Sequence, residues 1–284
     1  MPNLKQLRYR ASQTAVRVPV IWYRHRGCTR SDAFVAAYPR SGSTWLRFLL
    51  FEMLCQDSAV FTNVNRVIAD IGYHREAPPL LPNQGRLLKT HEPYRREYKK
   101  AIYLVRDGRD VVLSEFAYQK ARGWIRDDFD AFLDSFLRGR VSGYGSWAQH
   151  VQSWMESPLA AGGNLLTLRF EDMRANAEKA LADIAAFLGV SIDAAAIRSA
   201  IQNNTLKKMQ SKEDRTPQFS NLPPNNGNGL RFVRSGAVGG WRGRLSEAQL
   251  QLIDQHAGAT LEALGYSSGT SLATPGVDVQ MAGS

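Results

Sequence analysis

Apolar and polar positions along this chain fall into blocks whose period changes from segment to segment. Residues 33–38 (Ala-Phe-Val-Ala-Ala-Tyr) are a short continuous apolar run stopped by Pro39, the pattern of a strand buried on both faces that feeds a turn. Directly after the turn, Trp45, Leu46, Phe48, Leu49, Leu50, Met53 and Leu54 cover the broad face of a helix packed against a sheet. Further strands are predicted at 86–90, 101–105 and 165–170, each followed by polar residues and then helical spacing. Helices are predicted over 110–119, 129–137, 145–155, 177–188 and 246–264, the last two ending before Gly189 and Gly265. Strands alternating with helices predict an α/β fold with a central parallel sheet covered on both faces. Residues 211–231, with Pro217, Pro223, Pro224 and an Asn/Gly run at 225–229, keep neither period and read as a loop of the kind that covers a site. The small, polar stretch 266–284 reads as a disordered tail.

Composition narrows the picture. A chain of 284 residues with 44% hydrophobic content can bury one substantial core, so a single domain over 32–265 is expected. Lys and Arg outnumber Asp and Glu by 36 to 26, a formal charge of +10 that favours anionic ligands without choosing among nucleotides, anionic lipid and nucleic acid. No nucleic-acid reading module is present, so specific nucleic-acid binding is not expected. Cys28 and Cys55 are too few for a disulfide framework and lack metal-site spacing, which fits a cytoplasmic setting. No transmembrane span is expected, because the apolar run 16–23 contains Arg17 and Pro19 and is short. Residues 1–31 form a basic arm, with Lys5, Arg8, Arg10, Arg17, Arg24, Arg26 and Arg30 before the first acid, Asp32; it reads either as a solvated arm packed on the domain or as a peripheral membrane contact.

The strongest chemical signal is Tyr38-Pro39-Arg40-Ser41-Gly42-Ser43-Thr44-Trp45, where a strand ends in a Gly/Ser/Thr turn whose N–H groups would meet an anion at the helix N-terminus. Taken alone, such a turn is more often a simple cap. The Walker pattern is absent: Gly42 is the loop's one glycine and the cation, Arg40, precedes it, which disfavours ordinary ATP or GTP hydrolysis. Farther on, Arg106 closes a strand and Ser114 lies two turns into the next helix, a spacing that lets both converge on one phosphate.

These residues resemble the PAPS-dependent sulfotransferases, whose donor is 3′-phosphoadenosine-5′-phosphosulfate (PAPS). The first motif is similar to the family's YPKSGTTW, residues 99–114 to its second signature, and Phe232 to Arg242 to its RKGxxGDWK element, with Arg234 and Gly236 in register. Phe170-Glu171-Asp172-Met173 resembles the YEDM strand end, Asn204-Thr205-Leu206-Lys207-Lys208-Met209 the adenine-side segment, and Lys89-Thr90-His91-Glu92-Pro93 the KTHxP segment. The resemblance implies a P-loop-like, three-layer α/β/α domain. It also implies that Arg40, Ser41, Gly42, Ser43 and Thr44 hold the 5′-phosphosulfate and that Trp45 and Thr205 lie on the adenine side. Arg106, Ser114, Arg234 and Gly236 would hold the 3′-phosphate, and Ser235 would also belong to the donor site. His91 becomes the candidate general base, since imidazole can take the acceptor's proton near neutral pH, with Arg40 and Lys89 stabilising the leaving oxygen. No acidic cluster with metal-ligand spacing is evident, so the transfer is expected to need no metal, and the product of the donor is PAP.

Some positions depart from the family pattern. Arg40 replaces a Lys, Ser235 a Lys, Leu206 an aromatic, Phe170 a Tyr and Gly240 an Asp; the dimer element of cytosolic members is missing after Trp241, which leaves the oligomeric state open. The sulfuryl group would pass by in-line displacement to an acceptor hydroxyl or amine, and small-molecule, lipid and carbohydrate acceptors all remain open. Tyr94, Tyr98, Phe116, Tyr118 and Trp124 would line the acceptor pocket or belong to the core, and Glu92 is an alternative base. The competing functions are another P-loop phosphotransferase, such as a small-molecule kinase with Mg²⁺ ligands, and a binding module without turnover.

Overall fold

The computed structural model describes residues 17–126, 128–216 and 231–267. The arm before residue 17, most of the expected loop 211–231 and the tail from 268 lie outside the described residues. In chain order the elements are α1 (Arg17–Arg24), β1 (Ala33–Ala37), α2 (Ser43–Cys55), α3 (Phe61–Val67), β2 (Leu87–Thr90), β3 (Ala101–Val105), α4 (Gly108–Ala121), α5 (Phe129–Leu137), α6 (Trp147–Met155), α7 (Pro158–Ala161), β4 (Leu165–Arg169), α8 (Phe170–Ala175), α9 (Ala177–Leu188), α10 (Ala194–Asn203), α11 (Leu206–Arg215) and α12 (Glu247–Ala263).

The four strands are parallel in the order β2-β1-β3-β4. β1 is central, pairing Ala33–Ala36 with Leu87–Thr90 on one side and Phe34–Ala37 with Ala101–Leu104 on the other. Its residues are fully buried, as a strand covered on both faces requires. Alternate side chains divide between two cores. Phe34, Ala36, Leu88 and Tyr103 face a core shared with α4, α5, α6 and α12, whereas Val35, Ala37, Leu87 and Ile102 face one shared with α2, α3, α9 and α10. This is the expected three-layer sandwich. Because the chain leaves β1 toward β2 but continues to β3 on β1's other side, the carboxyl ends of β1 and β3 flank a crevice, the usual ligand position in an open parallel sheet.

Two readings of the sequence need correction. Phe170 is the first residue of α8 instead of the end of a strand, and residues 211–215 belong to α11 instead of a loop. α11 is polar almost throughout and buries only Met209 and Glu213, so its helical stripe is too thin to register as a period. α1 packs through Ile21, and its arginines find partners: Arg17 pairs with Glu92, and Arg24 donates to the Ile71 carbonyl. The described part of the arm is thus held on the domain.

One helix fixes the strand ends. On α6, Trp147, His150 and Trp154 occupy one buried face, and each carries an N–H. Trp147 Nε1 donates to the Arg106 carbonyl (3.1 Å), His150 Nε2 to the His91 carbonyl (3.1 Å) and Trp154 Nε1 to the Glu92 carbonyl (3.2 Å). These acceptors lie just beyond β3 and β2, where no ladder partner remains. Trp154→Ala is therefore expected to lower unfolding stability by ~3–5 kcal/mol in urea titrations, the cost of a large core deletion with an orphaned carbonyl added; a loss below ~1 kcal/mol would show that the indole is not part of the packed core.

Candidate active site

The loop after β1 curls through two left-handed residues, Arg40 (φ 69°) and Gly42 (φ 96°). A Cβ on Gly42 would lie 2.6 Å from the Phe170 ring, so this position admits only glycine. Gly42 is also the N-cap of α2 and offers no side-chain cap, which leaves the first N–H groups of the helix for a ligand. Ser41 Oγ is fully buried without a partner among the described residues. An uncapped helix start beside an unpaired buried hydroxyl is what an anion-binding cradle needs.

A cationic wall faces the cradle. Arg106, at the end of β3, donates through Nη1 to the Arg40 carbonyl (3.2 Å) and through Nη2 to the Ala237 carbonyl (2.8 Å), and its Nε is buried without a partner among the described residues. It therefore ties the cradle to the segment 231–239 and keeps donor capacity in reserve. That segment is anchored further by Asp110, which accepts from Gly239 N (2.9 Å), and by Trp241, whose Nε1 donates to Asp107 (3.0 Å). Arg40 Nε donates to Ser114 Oγ (3.2 Å), and its guanidinium lies between the Tyr118 and Phe232 rings, each 4.6 Å away. Burial draws the Arg40 and Arg106 guanidinium groups below their ordinary range.

At the reacting end, His91 follows β2. Its Nδ1 lies 2.6 Å from the Ala37 carbonyl at the end of β1; a carbonyl can only accept, so the proton sits on Nδ1 and Nε2 keeps its lone pair. Burial, reinforced by the Lys89 charge, lowers the His91 pKa to about 3, so the ring is neutral. Lys89 Nζ pairs with Asp70 Oδ1 at 2.8 Å. Arg47, from α2, stands beside them with Nη2 on the Asn65 side chain (2.9 Å) and on the Val64 and Ile68 carbonyls. The Lys89 and Arg47 charges, outweighing burial, hold Asp70 well below the usual carboxylate range.

The cradle, the cationic wall and His91 all open onto one cavity of about 510 Å³. It gathers Arg40, Gly42, Ser43, Thr44, Trp45, Lys89, His91, Arg106, Ser114, Arg234, Ser235 and Gly236 from the sequence-predicted set. Two members of that set lie elsewhere. Ser41 is buried behind the loop, and Thr205 is exposed at the N-cap of α11, with Leu206 lining the cavity in its place. Of the aromatics proposed for the acceptor side, Tyr118 alone lines the cavity; Tyr98 stacks on Trp154 in the core, Tyr94 and Phe116 pack against it, and Trp124 carries Arg122. The cavity's other rings are Trp45, Phe48, Phe61, Phe170 and Phe232. The Glu92 carboxylate is paired with Arg17 and is not part of the lining. Sequence reasoning missed Arg47, Asp70, Glu115 and His150. Arg47 lies inside a helix stripe and His150 on an apolar helix face, and neither position signals what its nitrogens reach.

Two outcomes follow for Gly42 and for the imidazoles. Gly42→Ala should unfold more readily, by ~1–3 kcal/mol, since it combines left-handed strain with a ring clash; thermal and urea melts equal to wild type would contradict the geometry. His150, like His91, is buried and neutral, with its pKa lowered to about 4. The unfolded chain binds protons on these rings as pH falls through 6.5, but the folded chain does so only near 3 and 4, so their stabilising contribution is complete above 6.5 and is lost as pH falls toward 4. The melting temperature should drop across that interval, and less steeply in His150→Gln; an unchanged slope would contradict the buried neutral ring.

Comparison with known proteins places this geometry. The chain is 30% identical to sulfotransferase 1A1 of Rattus norvegicus over 252 residues, covering 81% of this chain and 84% of the relative. It is 30% identical to sulfotransferase 1A1 of Canis lupus familiaris over 263 residues, covering 85% and 87%. Among solved structures, a mouse sulfotransferase complexed with PAP superposes with a TM-score of 0.62 at 24% identity, covering 82% of this chain and 84% of the other. Retinol dehydratase in complex with androsterone and PAP superposes with a TM-score of 0.67 at 21% identity, covering 84% and 83%. The model of the sulfotransferase domain matches residues 30–265, which bears out the resemblance read from the motifs: the chain belongs to the sulfotransferase family.

Proposed function

We propose that this protein transfers the sulfuryl group of PAPS to an acceptor hydroxyl, with His91 as general base. The observation that carries the reading is that one cavity joins an uncapped helix start, the Arg40–Arg106–Arg234 cations and a histidine whose Nε2 lone pair is free. Relatives of the same fold are complexed with PAP, which supports a donor bearing both a 5′- and a 3′-phosphate. The residues present fit that donor: the uncapped start of α2 with Gly42, Ser43 and Thr44 suits the 5′-end, while Arg106, with an Nε that has no partner among the described residues, and Arg234 suit the 3′-phosphate. Trp45, held by Nε1 donation to the Asn204 carbonyl (2.9 Å), offers a ring at the cavity wall for the base.

In the reaction, the acceptor hydroxyl gives its proton to His91 Nε2 as its oxygen forms a bond to sulfur. The bond from sulfur to the bridging oxygen of the 5′-phosphate breaks in line, and PAP leaves with the negative charge. Lys89, oriented by Asp70, and Arg40, fixed at Ser114, supply positive charge to that leaving group. A guanidinium keeps its proton, so Arg40 serves as a donor and not as an acid. The low basicity of His91 follows largely from desolvation and from the Lys89 charge; an anionic donor would offset the second of these.

Transfer from ³⁵S-labelled PAPS to phenolic and hydroxylated acceptors, assayed in EDTA, tests the reading. Turnover that survives chelation and falls by ~10²–10⁴ in His91→Asn, with PAP binding retained, is the expected result. Transfer of the terminal phosphoryl group of ATP, dependent on Mg²⁺, would replace the proposal with a kinase.

A further inference from the structure

Beside the Lys89–Asp70 pair that serves the transfer, the cavity wall carries polar atoms to which the reaction itself gives no role. Residues 69–71 run alongside β2 as a short parallel extension of the sheet: Lys89 N donates to the Ala69 carbonyl (2.8 Å) and Ile71 N to the Lys89 carbonyl (2.9 Å). Parallel pairing sets the Asp70 and Lys89 side chains abreast, which is why their charges meet at 2.8 Å. The two are buried unequally. The Lys89 side chain is 12% exposed and that of Asp70 41%, although both line the cavity. Lys89 takes Oδ1, and among the described residues no donor reaches Oδ2. Beside them Arg47 is 4% exposed, three bonds fix its Nη2, and its Nε is buried without a partner among the described residues.

Resting on the sulfotransferase reading above, we propose that Asp70 and Arg47 select a polyhydroxylated acceptor, a sugar or polyol, by binding a hydroxyl near the one that is sulfated. The chemistry of the wall favours this class over two others. A wholly apolar acceptor would cover the remaining Asp70 oxygen, Oδ2, with nothing to bond it, and desolvating an unsatisfied carboxylate oxygen is costly. A cationic acceptor would approach Asp70 between Lys89 and Arg47, both already positive. A neutral hydroxyl suits both neighbours, donating to Asp70 and accepting from the arginine. The adjacent Phe48 and Phe61 rings give the apolar C–H face of a sugar something to lie against. Asp70 is paired with Lys89, two residues before His91, and all three line the cavity, so the recognised hydroxyl would lie toward the reacting end.

Octyl glucoside and octanol are the two acceptors that test this, since they share a chain and differ in the ring of hydroxyls. Wild-type protein should sulfate octyl glucoside with a kcat/KM at least about tenfold above that for octanol, the size of one hydrogen bond to a charged group. Asp70→Ala should abolish that preference, mainly by raising KM for the glucoside, and Asp70→Asn, which keeps an acceptor oxygen, should retain part of it. Any effect of Asp70 through Lys89 touches both acceptors alike and cancels in the ratio. An equal fall for both acceptors in the variants, or a wild-type preference for octanol, would overturn the proposal. PAP calorimetry separates the two readings. Protein that binds PAP yet sulfates octanol alone, or neither acceptor, fails the acceptor assignment, whereas protein that does not bind PAP fails the sulfotransferase reading itself.

Discussion

The site depends on the register of β1. Because Ala36 sits opposite Thr90 and Ala37 opposite Leu104, three parallel strands end at one level, and the chain must leave all three on the same side of the sheet. The cradle after β1, His91 after β2 and Arg106 after β3 are brought together by that single constraint. A slip of one residue in β1 would exchange its two faces and move the Ala37 carbonyl away from His91 Nδ1. The buried runs on both faces hold this register in place, and the Trp147, His150 and Trp154 donors of α6 satisfy the carbonyls that the ladder leaves behind.

The same geometry concentrates positive charge where the protein has little of its own to neutralise it. Arg106 is bonded to two backbone carbonyls, with the Asp110 carboxylate 3.8 Å away, and Arg40 is bonded to a hydroxyl and a carbonyl between two rings. Such cations stand ready for an anionic ligand whose phosphates replace neutral dipoles as partners. Among the described residues two carboxylates line the cavity, Glu115 on the side of Arg40 and Asp70 at the reacting end. The pairing of Asp70 with Lys89 gives the reacting end a fixed carboxylate among cations, and from this the assignment of a hydroxylated acceptor follows.

Most of the fold was legible because the strands are short, apolar and bounded by turn residues, and because the helices α2, α5, α6, α9 and α12 present broad faces to the sheet. The loop after β1 was legible because its residues are consecutive; Arg106 and Ser114 both reach the cavity, but Ser114 accepts from Arg40, a contact their spacing does not announce. What stayed hidden was set by long-range contact. The left-handed conformation of a non-glycine residue, Arg40, carries no sequence mark. The Asp70–Lys89 pair requires that residues 69–71 join the edge of the sheet, and Arg47 is bonded through carbonyls of the turn near Ile68. Aromatic residues near a site in sequence proved a poor guide to the pocket: Tyr98 and Tyr94 were drawn into the core by Trp154, while Phe48 and Phe61, from the opposite layer, reach the cavity.

The central claim is that the cavity is built for a nucleotide phosphorylated at both the 3′ and 5′ positions. The direct measurement is calorimetric binding of PAP and of 5′-AMP in EDTA, for wild type and for Arg234→Ala, a cavity residue exposed enough to be replaced without disturbing the core. The account predicts that PAP binds far more tightly than 5′-AMP, and that the variant weakens PAP by about tenfold or more while leaving 5′-AMP almost unchanged, as the loss of one charge-assisted contact to the 3′-phosphate requires. Equal affinity for the two nucleotides, or an equal loss for both in the variant, would contradict it.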